Sequence, residues 1–267
     1  MTRSIGLDFF KKSVTISLMS EILPLFKTHY SLGKSILNLS VAENQPDESD
    51  SIFSILKRNE MNELILVEDC MSGFLEAYKN SNESNIKLVF GLRLTVCQDM
   101  QDKSPESLKT NSKVVLFLKN NEGYKKLIKI FSLAARKGFY YEPRIDYKTL
   151  KEVWNEQDLM MVIPFYDSYI FKNTLENNIC VPEFDFVDPT YFLEDNDLPF
   201  DSLIKRKVIN ISNNTQRTQS VYYRSKKDFK AYLTFRCINK RSTLDKPELD
   251  HMTSDEFCVE GWKEKNG

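Results

Sequence analysis

The chain has 267 residues, 41% of them hydrophobic, enough for one full core, and its 37 basic and 38 acidic residues nearly cancel, which excludes a global field able to hold a polyanion. Five scattered cysteines without a C-x-x-C pair argue against a disulfide framework or a zinc knuckle and point to a reducing cytoplasm. The N-terminus lacks a signal-peptide pattern, no window approaches a membrane-spanning apolar run, and neither glycine-rich phosphate cradle occurs.

In chain order, residues 1–24 match no clear element and read as an N-terminal extension, with a single domain expected over 25–267. Residues 42–50 are polar, aperiodic and loop-like, and a helix is predicted over 51–59. A strand follows at 64–67, a helix at 72–81, and two strands at 87–90 and 92–96. A second polar loop covers 98–111, before a strand at 113–118 and a helix at 122–137. Further on come a helix at 146–156, a strand at 159–164, an acidic and aromatic loop at 181–201, a strand at 207–211 and a helix at 226–238. Short β-branched and aromatic runs alternating with helical segments predict an α/β fold.

The clearest helix, 122–137, places Tyr124, Leu127, Ile128, Phe131 and Ala135 on one face, with Lys125, Lys126 and Lys129 largely opposite. Asn120 and Asn121 can cap it, and Gly123 leaves its first turn uncrowded. The basic stripe, which continues to Arg136 and Lys137, reads as a solvated face. The run Phe139-Tyr140-Tyr141 before Pro143 reads as packing and hydroxyl anchoring, with base stacking as the alternative. Only two histidines, His29 and His251, occur, and neither sits in a nucleophile motif.

The segment KVVLFLKNNEGYKKLIKIFSLAARKGFYYEPRID resembles the PHP (polymerase and histidinol phosphatase) domain of bacterial DNA polymerase III alpha subunits. There a strand, an A-K-N-x-x-G-Y turn, a Leu-rich helix and a G-F-Y-Y-x-P-R run occur in that order. Tyr30-Ser31-Leu32, Gly73-Phe74-Leu75-Glu76-Ala77-Tyr78-Lys79, the strand pair around Gly91, and Ser254-Asp255-Glu256-Phe257 resemble further blocks of the family in the same order. The resemblance implies a distorted (β/α)7 TIM-like barrel of the PHP type, about seven parallel strands with helices outside and a site at the strands' C-terminal ends.

Active members of the family hold divalent metals through His, Asp and Glu and attack phosphoesters with metal-bound hydroxide. Carried over position by position, the resemblance puts Leu25 and Lys27 at the first H-x-H. The T-D-H-G motif falls on Val67 and Glu68, or on Glu68 and Asp69 with a one-residue slip. Arg93 stands for the Glu of G-x-E, Lys113 for the His opening the next strand, and Ser220 and Tyr222 for the closing D-x-H. Lys27, Arg93 and Lys113 cannot ligate a metal while protonated, so the expectation is no metal, no cofactor and no catalytic residue. The cations then either pair with Glu68 and Asp69 to close the barrel mouth or form an anion site.

A catalytically inactive PHP-like domain, acting as a protein-binding module in DNA replication, is the leading reading. Its partners would be a polymerase or a proofreading exonuclease, with a weak nucleic-acid contact besides and no membrane. The chain ends where a polymerase palm would begin, and a phage source fits such a free-standing copy. The alternatives are a metal-dependent phosphoesterase or 3′-5′ exonuclease with a rearranged metal set, and a structural or assembly protein reusing the barrel.

Overall fold

The structure, a computed structural model, describes residues 22–41, 50–245 and 254–266. Most of the presumed extension 1–24, nearly all of the loop 42–50, and His251 lie outside the described residues. Among the described residues are eight strands: β1 (Leu23–Phe26), β2 (Glu63–Glu68), β3 (Lys87–Cys97), β4 (Ser112–Leu118), β5 (Arg144–Asp146), β6 (Leu159–Ile163), β7 (Thr190–Leu193) and β8 (Thr215–Val221). Seven of them close a barrel in the order β2-β1-β8-β7-β6-β4-β3, with β3 returning to β2, and β5 adds to β3 from outside. The helices are α1 (Ile52–Arg58), α2 (Phe74–Glu83), α3 (Asn121–Arg136), α4 (Tyr147–Val153), α5 (Tyr169–Leu175), α6 (Asp201–Ile211), α7 (Phe229–Lys240) and α8 (Val259–Asn266). The expected TIM-like barrel is therefore present, with one difference.

That difference is direction. Neighbouring barrel strands are parallel except at β4, which is antiparallel to both β3 and β6. A parallel return needs a crossover long enough to travel back along the sheet, usually a helix. Between β3 and β4 the chain has only a short 3-10 turn, Pro105–Thr110, so it re-enters the sheet at the end from which it left. Thr95 thus faces Lys113 across the ladder, and the first residues of β4 join the last residues of the parallel strands.

Strand alternation divides the core in two. Leu25, Ile65, Val67, Val89, Val115, Phe117, Val162 and Phe192 fill the barrel interior. Their neighbours Phe26, Leu64, Leu66, Phe90, Leu92, Val114, Leu116, Met161 and Ile163 pack outward under the helices. A glycine at position 91 is required by this interior: a Cβ there would stand 2.7 Å from the Phe117 ring and 2.8 Å from Val115.

Helix starts follow side-chain caps. Ser51 accepts from the Ser54 amide at 3.3 Å, Asn120 from Gly123 at 2.9 Å and Asp146 from Thr149 at 2.8 Å. Gly123 also lets the first turn of α3 press against the Asp158 carbonyl, which any Cβ would strike. The inward stripe of α3 is rotated from the expected one: Leu127, Ile130 and Ala134 are buried, whereas Ile128 and Ala135 are exposed.

Several other expectations need correction. The strands at 87–90 and 92–96 are one continuous β3, and the strand at 207–211 is the end of α6, whose Ile204 and Val208 lie one turn apart on the buried face. Its β-branched residues suit either state, and tertiary packing chose the helix. The loop at 181–201 contains β7. Strand β8 was missed because its inward residues Gln216, Thr218 and Ser220 are polar although buried. The aromatic run does not pack as a unit: Phe139 and Tyr141 are exposed, while Tyr140 lies over the guanidinium of the buried Arg144.

Arg144 is a structural staple. Its guanidinium donates to the Asp102 carbonyl at 2.8 Å, Ser107 Oγ at 3.1 Å and the Gly138 carbonyl at 3.3 Å, tying the 98–111 loop to the end of α3. At the opposite end of the chain, Trp262 Nε1 of α8 donates to the Ile22 carbonyl at 2.7 Å and anchors the start of β1.

Gly91→Ala should overpack the barrel and lower the unfolding free energy by about 1–3 kcal/mol. Urea unfolding of the two proteins measures this, and an unchanged midpoint would contradict the close approach of Phe117.

Candidate functional site

Two-residue alternation also builds the site. Continuing the inward positions past the last apolar layer brings Lys27 after β1, Asp69 after β2, Arg93 in β3, Lys113 in β4, Glu194 after β7 and Ser220 in β8 to the mouth of the barrel. Above them opens a cleft of about 1740 Å³, whose wall includes Asp69, Arg93, Thr95, Lys113, Glu142 and Asp167. Beneath lies a chamber of about 40 Å³ bounded by Lys27, Arg93, Glu194, Ser220 and Tyr222.

The cations are bound to carboxylates. Lys27 Nζ donates to Asp69 Oδ1 at 2.8 Å, and Arg93 Nη1 reaches the same oxygen at 3.5 Å. The other terminal nitrogen of Arg93 pairs with Asp167 Oδ2. Lys113 Nζ pairs with Glu142 Oε2 at 2.5 Å and also donates to Thr95 Oγ1. Burial by itself would raise the Asp69 carboxyl, but the charges of Lys27, Arg93 and Lys113 outweigh it and hold Asp69 well below the usual carboxylate range. Burial likewise opposes the charge of Arg93, yet Asp167 and Asp69 raise its pKa further.

Glu68 points the other way. It is fully buried outside the barrel and accepts from the Thr28 amide at 2.8 Å, from Thr28 Oγ1 at 2.6 Å and from the Ser31 hydroxyl. Ser31 Oγ in turn accepts from the Asp69 amide at 2.8 Å, so Glu68 fixes the turn that follows β1 against the end of β2. Burial, only partly offset by Lys27 and these hydrogen bonds, raises its pKa.

A second polar network lies on the far side of the chamber. Glu194 accepts from the Ser220 amide at 2.8 Å, from Ser220 Oγ at 2.9 Å and from Asn196 Nδ2 at 2.9 Å. Asn196 continues to Tyr166 Oη at 3.0 Å, and Tyr166 donates to Asp201 at 3.2 Å. Burial pushes the carboxyls of Glu194 and Asp201 and the hydroxyl of Tyr166 upward. The hydroxyl therefore stays protonated and able to donate.

Of the positions singled out from the sequence, Lys27, Asp69, Arg93 and Lys113 converge, Tyr222 lines the chamber, and Glu68 stands apart on the outer side of its strand. Asp69, rather than Glu68, is the acid that meets the cations. Three partners were not anticipated: Asp167, Glu142 and Glu194. Asp167 stands just beyond the expected strand 159–164, where barrel sites gather, so that rule could have flagged it. Its left-handed φ of 59° is a conformation aspartate tolerates better than most residues. Glu194 was hidden by the unrecognised β7, and nothing in the local sequence marks Glu142. His29 is exposed at the cleft rim, with Nδ1 3.3 Å from the Leu37 carbonyl.

A cluster of divalent metals does not fit this donor set. Asp69, Asp167 and Glu142 each already neutralise a cation, and protonated amines stand where lone pairs are needed. Among the described residues, no group of three or more His, Cys, Asp and Glu side chains is placed to hold a metal ion.

Asp69→Asn leaves Lys27 and Arg93 without their shared carboxylate and should cost about 3 kcal/mol. Because Asp69 titrates below its ordinary value of about 4, the difference from the native protein is full above that pH and vanishes as pH falls through the acid range. Glu194 has the opposite sign: with a raised folded pKa, its ionisation opposes folding, so its contribution becomes more favourable as pH falls toward the ordinary glutamate value of about 4.3. Melting temperature against pH for the native protein, Asp69→Asn and Glu194→Gln separates the two limbs. An Asp69→Asn difference that persists unchanged through the acid limb would contradict the assigned ion pairs.

Comparison with known proteins places this barrel. A family model described as PHP domain matches residues 47–178, a stretch that includes Glu68, Asp69, Arg93, Glu142 and Asp167 but not Lys27 or Tyr222. The DNA polymerase III subunit alpha of Helicobacter pylori is 38% identical over 82 residues, 31% of this chain and 7% of that protein. That of Aquifex aeolicus is 27% identical over 191 residues, covering 64% of this chain and 16% of the relative. The Thermus aquaticus subunit is 24% identical over 202 residues, 70% of this chain and again 16% of the relative. The matched part is thus a small share of each polymerase subunit. The chain carries a PHP domain, and that domain is related to the one in DNA polymerase III alpha subunits.

Proposed function

We propose that this PHP barrel is catalytically silent and serves as a protein-binding domain in a DNA-replication setting. The observation that carries the proposal is the mouth itself: Lys27, Arg93 and Lys113 are paired with Asp69, Asp167 and Glu142 where phosphoester chemistry would require metal-bound water. Relatedness to polymerase III alpha subunits supports the replication setting, with a polymerase or a proofreading exonuclease as partner. The links Lys27–Asp69, Arg93–Asp69 and Lys113–Thr95 also support a scaffold role, because they tie the ends of β1, β2, β3 and β4 together. A domain of this kind, with a phage source part of the proposal, could recruit or block the same partner as the domain in polymerase III alpha subunits.

Two measurements test the proposal. Purified protein supplied with manganese or zinc should contain no stoichiometric metal by elemental analysis and should release no nucleotide from single-stranded DNA. Mixed with a purified polymerase III alpha subunit or proofreading exonuclease, it should form a complex by analytical ultracentrifugation. Bound metal with hydrolysis abolished by Asp69→Ala would overturn the silent reading, and failure to bind either protein would overturn the replication partner.

A further inference from the structure

We propose that Lys113, Thr95 and Arg93 form an oxyanion site at the barrel mouth, and that Glu142 is its built-in occupant, displaced when an external phosphate or carboxylate group enters the cleft. The inference rests on the preceding reading in one respect, that the mouth holds no metal.

Lys113 and Thr95 are directly opposed across the β3–β4 ladder, and Arg93 is the next inward residue on β3. All three line the same open cleft. An ammonium and a hydroxyl that accepts from Lys113 while keeping its own hydrogen to donate, beside a guanidinium whose terminal nitrogens are held by Asp69 and Asp167, make a donor set suited to a phosphoryl or carboxylate oxygen. Glu142 already satisfies that set in part, its carboxylate resting on Lys113 Nζ as a ligand's would.

Glu142 differs from the other two acids of the cluster in how it is held. Asp69 follows directly on β2 and Asp167 lies in the short turn between β6 and α5, with side chains 27% and 17% exposed, whereas the Glu142 side chain is 42% exposed. It reaches in from the turn after α3, which is closed by a single bridge in which the Tyr140 amide donates to the Glu142 carbonyl at 3.1 Å. The intervening Tyr141, a residue 79% exposed, adopts φ 61°, the left-handed region that a bulky residue rarely occupies. Strain of this kind persists where surrounding contacts enforce it and is commonest at ligand sites. The pairing of Glu142 with Lys113 is a contact able to enforce it, and an anion competing for Lys113 would release the turn.

The test uses Glu142→Gln, a substitution at a half-exposed position, with inorganic phosphate and acetate as probes in amide-resolved NMR titrations, each run with and without EDTA. Glu142→Gln should bind at least one oxyanion about fivefold more tightly than the native protein, the worth of one partly exposed ion pair, and added salt should weaken the binding. A stronger response to phosphate identifies a phosphoryl ligand, and a stronger response to acetate a carboxylate. Adding Lys113→Met, or independently Thr95→Val should the first variant fail to fold, must abolish the gain. Equal affinities for the native protein and Glu142→Gln, or binding that survives both added substitutions, would overturn the site. Binding that EDTA abolishes would overturn the metal-free reading along with it, whereas absence of binding under both conditions sinks the oxyanion site alone.

Discussion

Charge balance at the barrel mouth is the constraint on which the rest of this molecule turns. Lys27, Arg93 and Lys113 meet at the mouth from the ends of three different strands, Lys27 buried and the other two half-buried, and each is neutralised there by a carboxylate. The acids that neutralise them come from the end of β2, the turn before α5 and the turn after α3. Every ion pair therefore joins elements distant in sequence, and the cluster acts as a clasp across the top of the barrel. Its buried part, Lys27 with Asp69, is worth most in not being broken singly, whereas Lys113 with Glu142 is the more exposed pair.

The clasp depends on the reversed strand. Were β4 parallel to its neighbours, Lys113 would start at the opposite end of the barrel, and Thr95 and Arg93 would face some other residue. A short connection without a crossover helix makes the reversal, and Gly91 makes room for Phe117 and Val115, which β4 then points inward. The apolar interior lies beneath, and the polar layer faces the cleft.

Family and site carry different kinds of information here. Relatedness to polymerase III alpha subunits accounts for the barrel, the capped helix α3 and the order of the elements. What the mouth can do is set by the side chains it presents, and a shared fold does not transfer chemistry between them. In this chain the mouth presents cations, each paired with a carboxylate.

By itself the sequence determined the class of fold, the helix α3 with its Asn120 cap, and Lys27, Glu68, Asp69, Arg93 and Lys113 as candidates for one site through their resemblance to family motifs. Those features are local, or follow from the order of motifs along the chain. Only the tertiary structure decided the direction of β4, the identity of β7 and β8, and the partners Asp167, Glu142 and Glu194. Strand β8 buries Gln216, Thr218 and Ser220, so its polar pattern looks like a loop until the closed sheet satisfies it. Glu68 and Asp69 are neighbours in sequence, yet the pleat sends one outward to Thr28 and Ser31 and the other inward to Lys27 and Arg93. A one-residue change of register reverses such an assignment, and pairing with β1 and β3 is what fixes it.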